Sequence, residues 1–220
     1  MKYLVLSFLI LSSFLNPDQT TYSQSFIGLK GGYSRYFEPG MNGSNIAVFT
    51  EVPFGDSYRV TFRPSVFYDF PMSYEDYGNI YAKDESYLSD DYIPVYSKFY
   101  NAGIGWELLL YFDEAFSTNF YFSIKGGTSY SAIKRTVENF NTNEYYLQTQ
   151  VKNNHQISVY FGIGLGVQFA LGRNSFFFTE IQSGFPFLLM KGEDSGSSQI
   201  SGYPNIVISG SIGFKQSIFN

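Results

Sequence analysis

The chain contains no cysteine. Disulfides, thiolate metal sites and a lipidated N-terminal cysteine are therefore excluded. Histidine is nearly absent too: His155 is the one residue of its kind, and no set of Ser, His and Asp groups accompanies it of the sort a hydrolase needs. No catalytic residue, cofactor site or metal ligand is assigned on this basis. Charged residues make up 15% of the chain, against about 25% in an ordinary soluble domain. The net charge of −5 argues against a nucleic-acid partner, which would call for a basic patch. Phosphate-binding glycine loops are missing as well. The nearest strings, KGG at 30–32 and at 125–127, fall in mid-strand and read as glycines that make room. Beyond residue 15 no run of 18 apolar residues occurs, so the rest of the chain holds no candidate transmembrane helix.

What the chain does have is aromatic side chains, 20% of all residues, in 24 Phe, 20 Tyr and one Trp. Its first residues, MKYLVLSFLILSSFLNPDQTTYSQS, place Lys2 ahead of an apolar core from Tyr3 to Leu15. A helix-breaking Asn16–Pro17 follows, and then small residues at Thr21 and Ser23. This is the layout of a secretory signal cleaved between Ser23 and Gln24, giving residues 1–23 as the signal and 24–220 as one domain.

From residue 25 onward a period of two dominates. Eight segments alternate: 25–35, 44–52, 58–70, 96–112, 119–132, 155–171, 176–187 and 205–219. The clearest is HQISVYFGIGLGVQFAL (155–171), where Ile157, Val159, Phe161, Ile163, Leu165, Val167 and Phe169 alternate with Ser158, Gly162, Gly164, Gly166 and Gln168. Several segments outrun the 5–6 residues of a common soluble strand and reach the 9–11 that a tilted strand needs to cross a bilayer. Pro64, inside an otherwise regular strand, predicts a bulge or break there. The connections at 53–57, 113–118 and 172–175 are short. Those at 36–43, 71–95, 133–154 and 188–204 fall at the other end, and three of them are long.

The polar face of each strand decides what the apolar face meets. It carries Gly, Ser, Thr and Gln with isolated charges, which suits a narrow interior better than a solvated surface. Those charges nearly balance: Lys30, Arg59, Arg63, Lys125 and Lys215 against Glu51, Asp69, Glu107 and Glu180. Charges enclosed in a small barrel must pair. Aromatics near strand ends (Tyr33, Tyr58, Tyr68, Tyr96, Tyr100, Phe112, Phe120, Tyr130, Phe169) suit interfacial girdles. The expected architecture is all-β: a closed, antiparallel, eight-stranded transmembrane β-barrel, since a strand in lipid cannot leave its backbone groups unpaired. Gly162, Gly164 and Gly166 are expected to make space for Glu107, Lys125 and Glu180.

On the strand SFIGLKGGYS and the last strand ISGSIGFKQSIF, the chain resembles the small eight-stranded outer-membrane β-barrels of Gram-negative bacteria, of the OmpX and OmpA transmembrane-domain type. The resemblance implies residence in the outer membrane among its lipids and recognition by the barrel-assembly machinery. That machinery reads a C-terminal aromatic in this family; here Phe219 precedes Asn220. It also implies a structural or surface-interaction role rather than an enzymatic one. A small porin, an accessory subunit of a secretion or assembly system, and a barrel with an unknown surface or periplasmic partner are the other readings. The segment 71–95 is rich in tyrosine and acid. Glu75, Asp76, Asp84, Glu85, Asp90 and Asp91 are its candidates for divalent-cation ligands, since oxygen donors suit calcium.

Overall fold

The computed structural model describes residues 25–37, 40–54, 58–82, 92–137, 145–147, 154–191 and 206–218. The expected signal segment with Ser23 and Gln24, and Phe219, lie outside these residues.

The strands are β1 (Phe26–Tyr36), β2 (Asn42–Phe54), β3 (Val60–Ala82), β4 (Tyr92–Tyr111), β5 (Asn119–Val137), β6 (Tyr145–Leu147), β7 (Asn154–Ala170), β8 (Ser175–Lys191) and β9 (Val207–Ser217). All but β6 form one antiparallel sheet in the order β2-β1-β9-β8-β7-β5-β4-β3, and a β2–β3 ladder joins its two ends into a closed eight-stranded barrel. β1 and β9 run with Phe26 opposite Ser217, so the first and last strands meet at the short-turn end.

Alternation sets the two faces, and the outer one is apolar. Val66, Leu165 and Ile181 are 63%, 64% and 67% exposed, whereas Arg63 and Lys215 are fully buried. The wall is the reverse of a soluble sheet because its solvent is hydrocarbon. Aromatics mark both margins of that wall: Phe112, Phe120 and Phe169 near the short turns, Tyr33, Tyr68, Tyr96 and Tyr130 towards the other end, all exposed. Tyr58 departs from the expected girdle. It takes a φ of 50° ahead of β3 and its ring packs on Phe116, with centroids 4.9 Å apart.

Pro64 gives the expected break in the β2–β3 ladder but no bulge. It brings no change of register. The β2–β3 ladder lapses at Arg63 and Pro64 and resumes unshifted, with Phe49 opposite Ser65 and Val52 opposite Phe62. The bulge falls at Pro71 instead, where Phe70 and Pro71 together oppose Tyr100 between the pairs Asp69–Asn101 and Met72–Phe99. One extra residue reverses the alternation, so Asp69 and Met72 both turn inward and are buried.

The segment expected as a loop at 71–95 is largely strand. β3 pairs with β4 as far out as Asn79 opposite Tyr92, whereas β2 leaves β3 at Asp69. The β3–β4 hairpin thus rises past its β2 neighbour. The unexpected strand is β6, whose three residues pair with Ile80–Ala82 of β3. β5 and β7, which flank β6 in sequence, pair with each other. β6, which lies between them in sequence, thus sits beside β3 on the side away from β4.

Candidate functional site

Among the described residues, the lumen is the one place where the fold gathers polar chemistry from every side. β1 contributes Lys30, β2 Glu51, β3 Arg63, β4 Glu107, β8 Glu180 and β9 Lys215, each on the inward phase of its strand and each buried. Arg63 is central. Its Nε and Nη2 donate to Glu51 Oε2 at 3.1 and 3.0 Å. Its Nη1 donates to Glu107 Oε2 at 3.1 Å and to Glu180 Oε1. Lys30 Nζ bridges Glu107 and Glu180. Lys215 Nζ donates to Glu51 Oε1 at 2.7 Å and to the Tyr111 hydroxyl at 3.0 Å. Three cations and three carboxylates are thus joined into one lattice.

Neutral groups take up the remaining lone pairs, which a buried ion pair requires. Tyr121 donates to Glu180 Oε1 at 2.7 Å, and Tyr111 and Thr61 donate to Glu51 Oε1 at 2.9 and 3.1 Å. Gln182 Nε2 donates to both Glu107 and Glu180. Aromatic faces cover two of the cations: the Arg63 guanidinium lies 4.6 Å from the Phe49 centroid and 4.8 Å from that of Phe178. Lys215 Nζ lies 4.8 Å from the Phe26 centroid.

Below the lattice the β4–β5 turn packs across the short-turn end. Ala115 is buried and its N–H donates to Tyr58 O at 3.0 Å, while Phe116 packs against Phe26. Gln168 of β7 is fully buried and donates to Ala115 O at 2.6 Å and Ser117 O at 2.8 Å. Gln168→Leu leaves those carbonyls without this donor. It is expected to cost about 1–3 kcal/mol, seen as a lower urea midpoint for the refolded barrel.

Above the lattice lies a cavity of about 150 Å³ bordered by Lys125, Tyr160, Asn101, Asp69 and Gln156. Lys125 Nζ donates to Gln182 Oε1 at 3.1 Å. Asp69 Oδ2 accepts from Tyr36 and from Asn101 Nδ2. Tyr36, Met41, Met72, Phe99 and Ile133 form an apolar cluster at the outer end.

Of the nine expected lumen charges, six form the lattice, while Lys125 and Asp69 border the cavity. Arg59 does not join them. It has the right phase for the lumen but precedes the first residue of β3, so it is exposed. The same alternation that turns Glu107 inward also turns Tyr111 inward, and Tyr121 shares the phase of Lys125; sequence reasoning gave neither hydroxyl a role. The glycine expectation is corrected in its partners. A Cβ at Gly162 would meet Lys125, one at Gly164 would meet Ser123 and Gln182, and one at Gly166 would meet Tyr121. The space is thus taken by Lys125, as expected, but by Tyr121 and Gln182 in place of Glu107 and Glu180. Among the acidic candidates, Glu75 is exposed on β3. The Asp76 side chain and Asp84, Glu85, Asp90 and Asp91 lie outside the described residues.

A closed eight-stranded sheet with an apolar outer wall, aromatic margins and a polar, charge-paired interior is a transmembrane β-barrel of the outer-membrane class, and its place is the outer membrane. Among solved structures the chain is similar to a major outer membrane protein from Thermus thermophilus, at a TM-score of 0.57 and 12% identity over 88% of this chain and 99% of that one. It is also similar to Neisserial surface protein A, at a TM-score of 0.52 and 12% identity over 88% of this chain and 97% of that one. At such identity the likeness is one of fold. No family model matches the chain, and no curated protein matches it in sequence.

Proposed function

We propose that this protein is a plugged outer-membrane anchor that presents its outer segments, above all the raised β3–β4 hairpin, for surface interactions. The observation that carries the reading is the six-charge lattice across the lumen, in which Arg63, Glu51 and Lys215 are fully buried. An eight-stranded barrel has an interior about wide enough for side chains to fill, and here the turn 113–118 adds a second closure beneath the lattice. The cavity above serves the outer side alone. On this reading the chain is exported with cleavage between Ser23 and Gln24, is inserted by the barrel-assembly machinery, and carries no enzymatic group.

Planar-bilayer recordings test the plug. The refolded protein is expected to give no stable, stepwise conductance; regular single-channel steps from the wild type would overturn the reading in favour of a small porin. The interaction role is tested separately by grafting a neutral Gly-Ser turn in place of residues 76–94. The expected outcome is a barrel that still folds, with heat-modifiable gel mobility, and cells that lose binding to surfaces the wild type decorates. Unchanged binding would remove the hairpin from the proposal.

A further inference from the structure

The lipid-facing wall is almost free of charge. On the described strands its outward positions carry only Arg35, Glu75, Lys98 and Lys134 as ionised groups, all towards the outer ends. A chain of net charge −5 thus shows a mostly basic rim on this wall.

Two of these residues are set directly against each other. Lys98 of β4 is the cross-strand partner of Lys134 of β5, and both are exposed. Directly opposed residues hold their Cβ atoms about 4.5–5.5 Å apart, and like charges there are destabilising. Nothing among the described residues relieves them. Neither ammonium has an ion-pair partner among the described residues. Glu75, the acid next to them on β3, stands opposite Tyr96, two positions further out than Lys98. The partner of Lys134 is the face of Tyr100, 5.4 Å from its Nζ.

The row next inward is aromatic. Tyr100 and Ala132 are paired, His155 faces Ala132 from β7, and its imidazole stacks on Tyr130 at 6.4 Å. Such rings sit at the membrane–water interface. Lys98 and Lys134 stand two residues beyond this row, roughly 7 Å along their strands. Tyr96 stands two residues further out still, so the lysines lie within the aromatic margin, where the wall meets the headgroups of the outer leaflet.

We propose that Lys98 and Lys134 form a phosphate-binding site for a phosphorylated lipid of the outer leaflet. The two ammoniums converge on one phosphate, Tyr100 floors the site, and the acyl chains lie against the apolar wall below. The opposed lysines, unfavourable alone, become a complementary pair once the phosphate is seated. This site lies outside the barrel and depends only on its membrane placement, so it stands whether or not the lumen conducts.

Native mass spectrometry in detergent micelles tests it, with bisphosphorylated lipid A and its dephosphorylated form as probes and the double variant Lys98→Gln/Lys134→Gln as comparison. Each lysine near a charged lipid surface contributes enough for the pair to give about tenfold or greater preference. The wild type is expected to retain the phosphorylated lipid about tenfold better than the dephosphorylated one. The double variant, verified as folded by heat-modifiable mobility, is expected to lose that preference. Equal retention of the two lipids by the wild type, or an undiminished preference in the variant, would overturn the site. Displacement of the lipid by millimolar inorganic phosphate would identify a free-anion site and overturn the lipid assignment.

Discussion

Arg63→Met lowers the unfolding free energy of the refolded barrel by about 3–5 kcal/mol. The reason is arithmetic as much as contact. Arg63 donates to Glu51, Glu107 and Glu180 at once. Without it, two lysines face three buried carboxylates: Lys215 still holds Glu51, and Lys30 must serve both Glu107 and Glu180. One negative charge is left buried without compensation. Methionine fills much of the guanidinium's volume, so the loss reports charge rather than a cavity. The double variant Arg63→Met/Glu107→Gln restores two cations to two carboxylates, and part of the loss is expected to return. Urea titration in lipid vesicles, followed by tryptophan fluorescence from Trp106, reads both. A loss within about 0.5 kcal/mol, typical of a surface substitution, would show that the lattice contributes little.

Gly162→Val is expected to be as damaging by a different route. A Cβ at Gly162 would stand 2.0 Å from the Ser183 carbonyl oxygen, 2.6 Å from Lys125 Cε and 3.0 Å from Gly184 Cα. The lysine can swing aside; the backbone of β8 cannot without opening the β7–β8 ladder. Overpacking commonly costs about 1–3 kcal/mol, and valine at this position is expected at or above the top of that range, or to prevent folding. Gly210→Ala is the matched comparison. Nothing lies within 4 Å of its added Cβ, and alanine spares the entropy that glycine loses in a strand, so its urea midpoint is expected to hold or rise. Similar losses for the two variants would sink the close-approach argument.

These residues also show what was legible in the sequence. Strict alternation placed Lys30, Glu51, Arg63, Glu107, Glu180 and Lys215 on one face, because period two is a local property that needs no knowledge of the partner strand. Which of them touch is not local. Lys215 and Glu51 are 164 positions apart, and only closure of the sheet brings them together. Alternation also says nothing of where a strand stops, so Arg59 carried the right phase beyond the end of its ladder. The arm of β3 past Asp69 went unread for a related reason. The bulge at Pro71 reverses the phase, and the sequence SYEDYGNIYA has no apolar face to repeat, since it extends beyond the apolar wall. β6, at three residues, is too short to have a period. The phosphate-site lysines were hidden because each is ordinary alone; only the β4–β5 register makes them opposites.

The lattice has a consequence for the order in which the barrel is made. Two of its three cations come from the terminal strands, Lys30 from β1 and Lys215 from β9, while all its carboxylates lie on β2, β4 and β8. A chain whose first and last strands have not yet met lacks the contacts that hold these charges together, and a chain that lost β9 would keep Glu51 without Lys215. Contacts completed only at closure are absent from earlier transition states and therefore act mainly on the rate of opening. The interior charges thus work as a clasp: they add little speed to assembly, and they make the seam between β1 and β9 slow to part once it has formed.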